Sequence, residues 1–266
     1  MTKKQAKEEA QLLDKAEKDR KQIAATTKRH PKMDITDAYK VQSAWMDIKK
    51  KRGQKVAGYK IGLTSRTMQK SMNIDEPDYG TILDDMVFEE GTEIPADQFL
   101  DPRIEVELAF FLKEKLQGDK ISLIDVLNAT DYVVPALELI AARTFRINPK
   151  TGYKRTVKDT ISDNAANAGV ILGGLPVRPD DIDLRWVGAM MSRNGVIEES
   201  GVSGAVLNHP AKGIAWLAKK YAAHNIALEP GQIILSGSFT RPIKVRPGDT
   251  FFVDYGSLGS ISCYFS

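Results

Sequence analysis

The segment Ile104–Leu112 reads IEVELAFFL. A run this apolar belongs to a strand buried on both faces for much of its length, and so to the inside of a sheet. Two glutamates interrupt it. In a strand, residues i and i+2 share a face, so Glu105 and Glu107 point the same way, about 7 Å apart by the rise per residue. That face continues with Ala109 and Phe111, while Val106, Leu108, Phe110 and Leu112 fill the other. Two like charges in such a place repel each other and lose hydration. Either the strand is half exposed with a polar face, or the carboxylates share a divalent cation. Oxygen-only ligands suit Mg²⁺ or Mn²⁺. A second apolar run, Asp131–Leu139 (DYVVPALEL), brings another acid, Glu138, near its end. Three carboxylates plus waters make an open octahedral site, and this tilts the reading toward a metal.

Around these strands the chain changes grammar once. Residues 3–25 are rich in Ala, Lys, Glu, Gln and Leu, all good helix formers, and His30-Pro31 ends the pattern. Asp34 or Thr36 can cap a second helix whose Ala38, Val41, Trp45 and Ile48 form one apolar stripe, with Gly53 as its stop. After Gly53 short strands alternate with Gly and Pro. Beyond the two acid-bearing runs, strands are predicted at Val56–Ile61, Ala168–Leu172, Gln232–Ser236, Thr250–Tyr255 and Ser260–Phe265. A late helix spans Pro210–Ala223 with Asn208 or His209 as cap, and Arg246–Asp249 is a turn. The expected organisation is a helical N-terminal region, 1–53, and a β-rich catalytic domain, 54–266, giving an α+β fold.

Charge narrows the function. The 266 residues carry 38 Lys+Arg against 35 Asp+Glu, a net +3. No basic stripe is interleaved with aromatics, so nucleic acid is not an expected partner. The Lys49–Arg52 run (KKKR) ends a helical pattern, where cations suit the dipole, and reads as a solvated helix end. Cys263 is the only cysteine; it allows no internal disulfide or Cys-based zinc site and reads as a small core residue. The charged N-terminus has no apolar core of a signal peptide, and no window approaches a membrane span. A cytoplasmic enzyme or binding protein is the expectation.

The segments GYKIGLTS (58–65), EPDYG (76–80), PRIEVELAF (102–110), DYVVPALELI (131–140), SDNAANAGVILGG (162–174), GSFTRP (237–242) and YGSLGSISCYF (255–265) occur in an order that resembles the hydratase/decarboxylase branch of the fumarylacetoacetate hydrolase superfamily. The resemblance runs over nearly the whole chain. It implies a mixed β-sheet roll or barrel preceded by helices, and a homo-oligomer. It places Glu105, Glu107 and Glu138 at the family's metal-ligand positions, filled by Mg²⁺ or Mn²⁺, and Lys60 and Asp78 at positions lining the active site.

The implied reaction is metal-dependent hydration of a seven-carbon 2-oxo-enoic diacid, 2-oxo-hept-4-ene-1,7-dioate, within the breakdown of aromatic compounds. The C1 carboxylate and C2 oxygen chelate the metal; a proton moves along the conjugated chain, and water adds at C4. Lys60 could bind substrate or donate a proton, though alone it reads as a snorkelling side chain. Asp78 could be a base or a plain turn residue. For the distal carboxylate Arg241 is the candidate, with Arg143 and Arg146 as alternatives in a segment, AARTFRINPKTGYKR, that reads as a mobile loop or lid. Ser162, Asn164 and Asn167 are candidates to touch substrate or to satisfy turn backbones. His30, His209 and His224 all have simple structural readings. The superfamily's C–C hydrolases carry a histidine after the lysine strand, and GLTSRTMQKS has none, which disfavours hydrolysis. Decarboxylation of a related 2-oxo diacid at the same metal and a role as an inactive partner subunit are the alternatives.

Overall fold

The computed structural model describes residues 1–266, except the side chains of Thr67 and Ser71. Helices α1 (Lys3–Lys18), α2 (Thr26–Arg29) and α3 (Ile35–Lys51) come first. Asp34 caps α3: its carboxylate accepts the Asp37 N–H at 2.7 Å, and the Asp37 carboxylate accepts the Asp34 N–H in return. The helix ends at Arg52, and Gly53 follows at φ 103°. Its basic end is exposed at Lys50, Lys51 and Arg52, as expected of a solvated end, and departs from that reading at Lys49. Lys49 is buried, bonded to Glu17 and set over the Trp45 ring, while Arg52 reaches Asp14. These contacts tie α3 to α1.

The rest is sheet with short helices. In chain order come β1 (Val56–Gly62), α4 (Arg66–Met72), β2 (Asp78–Leu83), β3 (Val87–Glu89), β4 (Glu93–Ile94) and β5 (Arg103–Leu112). Then follow α5 (Leu123–Ala129), β6 (Thr130–Ile140), α6 (Val157–Ser162), β7 (Asn167–Leu172), β8 (Gly188–Arg193) and β9 (Val196–Val202). The chain closes with α7 (Ala211–Ala222), β10 (Ile233–Leu235), β11 (Ile243–Lys244), β12 (Thr250–Asp254) and β13 (Ser260–Phe265). At the start of α7 neither expected cap bonds the helix in the usual way. Pro210 holds the N-cap position, and His209 Nδ1 accepts the Ala211 N–H at 3.2 Å.

The main sheet runs β2-β1-β10-β5-β6-β7-β3, with β11 added to β5; the second runs β4-β13-β12-β8-β9. Pairing is mixed: β1–β10 and β3–β7 are parallel, β5–β6 and β6–β7 antiparallel. The main sheet stays open between β2 and β3, so the fold is a roll without a closed barrel. Its inner face, with Val106, Leu108 and Phe110, packs on Met191, Phe251, Val253 and Ile261 of the second sheet. Its other face, with Ala109, Val134 and Ala136, is covered by Leu13 of α1 and by Val41 and Trp45 of α3. The acids lie on this helix-covered face, which is why the strand reads as buried on both sides.

Candidate metal centre

Antiparallel register between β5 and β6 sets Glu105 opposite Glu138 and Glu107 opposite Ala136. All three carboxylates share one face, and an oxygen from each lies within 4.8 Å of the others. Glu107 and Glu138 are buried, and Glu105 is half-buried. One oxygen of each buried acid is held by the protein. Glu107 Oε2 accepts the Gly237 N–H at 2.8 Å. Glu138 Oε1 accepts from Asn167 Nδ2 at 3.0 Å and faces Lys60 Nζ at 3.2 Å. The second oxygen of each is left for an ion. Without a cation, burial and then the charge of Glu138 push Glu105 up to about 7. The same two causes push Glu107 well above the usual carboxylate range. An oxygen-only donor set whose members cannot comfortably ionise together fits a divalent cation.

Lys60 and Asp78 complete the cluster from β1 and β2. Register pairs Gly62 with Asp78 and Lys60 with Gly80, so Lys60 and Asp78 share a face across the gap that Gly62 leaves. A Cβ on Gly62 would lie 2.3 Å from Asp78 Oδ1 and 3.1 Å from Lys60 Nζ. Burial opposes the charge on Lys60, but Glu138, Asp78, Glu105 and Glu107 outweigh it and hold the ammonium above its ordinary range. Burial raises Asp78 to about 6 against the pull of Lys60, and its Oδ1 is enclosed without a hydrogen-bond partner among the described residues. A carboxyl so poised takes up and returns a proton near neutral pH.

A left-handed turn supplies the remaining contact. Asn164, Ala165 and Ala166 have φ of 54°, 49° and 64°, a conformation costly for alanine. Two clamps hold it. The Asn164 amide brackets the backbone of Thr81, accepting its N–H at 2.8 Å and donating to its carbonyl at 2.9 Å. The Asp163 carboxylate accepts from Arg143 N at 2.9 Å and Arg143 Nε at 2.5 Å. The turn delivers Asn167 to Glu138.

The structure thus brings together Lys60, Asp78, Glu105, Glu107, Glu138 and, among the amide candidates, Asn167, and adds the Gly237 amide. It turns the other candidates elsewhere. Ser162 Oγ donates to the Lys158 carbonyl at 2.8 Å, and both polar atoms of Asn164 are taken by Thr81. Arg241 is 84% exposed and pairs with Glu199 at 2.7 Å instead of facing the acids. Arg143 is a buried clamp, Thr144 next to it bridges to Ile23, and Ile147 and Lys154 bridge to each other within the segment expected to be a mobile loop or lid. The Gly237 contact had no signal in sequence, since a backbone amide looks alike in every loop.

Residues 57–265 match the family model for the fumarylacetoacetate (FAA) hydrolase C-terminal region. The chain is 61% identical over 256 residues to 2-oxo-hept-4-ene-1,7-dioate hydratase of Escherichia coli, covering 96% of each. It is 36% identical to 2-keto-4-pentenoate hydratase of Paraburkholderia xenovorans, over 100% of this chain and 96% of that one. Among solved structures, 4-oxalocrotonate decarboxylase from Pseudomonas putida G7, complexed with magnesium and adipate, superposes with a TM-score of 0.94 at 33% identity, covering 100% of this chain and 99% of that one. With its open roll, its clustered acids and a family match over most of its length, the chain belongs to the fumarylacetoacetate hydrolase family.

Proposed function

We propose that the protein is a metal-dependent hydro-lyase that converts 2-oxo-hept-4-ene-1,7-dioate to 4-hydroxy-2-oxoheptane-1,7-dioate. The observation that carries this is the convergence of Glu105, Glu107 and Glu138, with Lys60 on the same carboxylate cluster, in a chain 61% identical to a hydratase of that substrate. The three glutamates would hold Mg²⁺ or Mn²⁺; magnesium is present in the solved decarboxylase relative. Such an ion would supply the Lewis acidity that stabilises negative charge developing on the 2-oxo group of the substrate.

The chain's own groups do the rest. Lys60 stays an ammonium among four carboxylates, and offers its N–H and its charge to the developing oxyanion. Asp78 takes the proton from C3 and the proton is returned at C5, which moves the double bond to C3=C4 next to the ketone. Water then adds at C4, the electrophilic end of that enone, and C3 regains a proton. No electrons are transferred, so no redox cofactor enters. We place the protein in the cytoplasm, where its single buried Cys263 would stay a free thiol, and propose that it is a homo-oligomer.

The direct test follows the ultraviolet chromophore of the dienoate together with released CO₂. Loss of the chromophore without CO₂ supports hydration; stoichiometric CO₂ means that the scaffold decarboxylates. Glu105→Gln combined with Glu107→Gln should lower turnover by at least about a thousandfold and abolish Mn²⁺ binding by electron paramagnetic resonance, with the circular dichroism spectrum retained. Unchanged turnover in that variant refutes the metal role.

A further inference from the structure

Arg103 lies two residues before Glu105 on β5 and therefore on the same face, about 7 Å along the strand from the acids. Its Nε is buried and has no hydrogen-bond partner among the described residues. The carboxylate that pairs with it, Asp101, lies 3.9 Å from its terminal nitrogen. Two more guanidiniums come from the segment after β6. The Ile147–Lys154 bridge and a 3.0 Å bond from the Arg155 N–H to the Arg146 carbonyl make Arg146 and Arg155 neighbours. The side chain of Arg155 is 7% exposed, and its one ion-pair contact is 3.4 Å to Asp163, which Arg143 already holds at 2.5 Å. Asp101 is likewise shared, between Arg146 at 2.8 Å, Lys244 at 3.7 Å and Arg103.

Cations here outnumber the carboxylates that face them. Burial lowers Arg155 to about 10, with Arg146 adding repulsion; burial and then Arg103 lower Arg146. The group borders the acid cluster, since Arg146 acts on Glu105 and Arg155 on Asp78. Arg155 is buried and Arg103 and Arg146 are half-buried; like charges so placed and short of partners have one natural complement, an anion that arrives with the ligand.

We propose that Arg103, Arg146 and Arg155 form the subsite for the distal carboxylate of a diacid whose 2-oxo-acid end is held at the three glutamates. This rests on the reading of that site as a 2-oxo-diacid hydratase. It makes the arginines the residues that separate diacids from monoacids of equal length.

The test uses the Mg²⁺-loaded protein and two saturated probes that cannot be hydrated. One is 2-oxoheptanedioate; the other, 2-oxoheptanoate, lacks only the distal carboxylate. Calorimetry gives the Kd of each. The wild type should bind the diacid about tenfold or more tighter than the monoacid. Arg103→Gln should remove most of that preference and leave monoacid affinity within about twofold. Arg146→Gln should act in the same direction, and guards against a fold defect in the first variant. Equal affinity of the wild type for both probes, or variants that weaken both probes alike, overturn the proposal. The outcomes separate from those of the parent reading. A diacid preference lost in Arg103→Gln, in a protein that does not hydrate the enoic diacid, upholds the subsite and ends the hydratase assignment. Hydration of the enoic diacid with no probe preference does the reverse.

Discussion

Three carboxylates within 4.8 Å of one another are unstable company unless protonated or bridged by a cation, and this sets a pH signature. In the metal-free fold Glu105 titrates near 7, against 4.5 as its ordinary value, and Glu107 is shifted the same way. A carboxyl whose folded pKa is raised gives up its proton first in the unfolded chain. Its contribution to stability is therefore full below about pH 4.5 and is lost as pH rises through about 7. A divalent cation binds the ionised form and reverses the trend. Calorimetric scans of metal-free protein should show Tm falling between about pH 5 and pH 8, with the rise on adding Mg²⁺ growing over the same interval. An Mg²⁺ increment that does not change with pH would refute bridging by these acids. The acids could be found in the sequence because an apolar strand makes a charge conspicuous. Arg103 could not, because an arginine beside an aspartate at a strand start looks like any surface pair. The direction of Arg241 was hidden for the converse reason: a loop rich in Ser and Thr gives no sign that its arginine pairs with Glu199.

Among the elements, the turn Asn164–Ala166 is the one that works against its own backbone preference. Two alanines with positive φ persist only where the surroundings over-determine them. Here Arg143 binds the Asp163 carboxylate and also donates to the Asp163 and Asn167 carbonyls at 2.7 Å and 3.2 Å. Asp163→Ala leaves a buried guanidinium without its carboxylate. It should cost about 3–5 kcal/mol in urea unfolding, and, by loosening Asn167 on Glu138, weaken Mn²⁺ binding about 10–100-fold. Full metal affinity in a destabilised variant would separate the turn from the site. This element was half legible: SDNAANAG announces a polar turn, but nothing local dictates three left-handed residues. The hairpin of β8 and β9 is the opposite case. Its Asn194-Gly195 pair, at φ 54° and 81°, is a strong two-residue hairpin signal, while the flanking GAMMSR and VIEESGV do not alternate cleanly. The long central strands were legible from hydrophobicity alone; β3, β4 and β11, of two or three residues each, exist only through tertiary pairing.

At the scale of the whole molecule, the two faces of the main sheet are both covered, one by the second sheet and one by α1 and α3. The second sheet is covered on one side only. Its register puts Met190, Ile197, Val202, Phe252 and Tyr264 on a common outward face, and all five are exposed. Trp186, 76% exposed, stands beside them at the rim of a groove of about 750 Å³ that Met190 and Val202 also line. Single exposed apolar residues are ordinary, but five on one sheet face, interspersed with Ser192, Ser262 and Asp254 and bordered by an aromatic rim, mark a contact surface. A second copy of the chain is the occupant proposed for this outward sheet face, in line with the homo-oligomer proposed above. Light scattering should then give a mass that is a multiple of the 29.5 kDa chain. Trp186→Glu combined with Phe252→Glu buries charge in the contact and should dissociate the assembly by about tenfold or more in Kd. Neither side chain lies in the protein's own core, so the circular dichroism spectrum should persist. A wild type that scatters as a monomer, or a double variant that keeps the wild-type mass, removes this face from the interface and leaves the carboxylate site untouched.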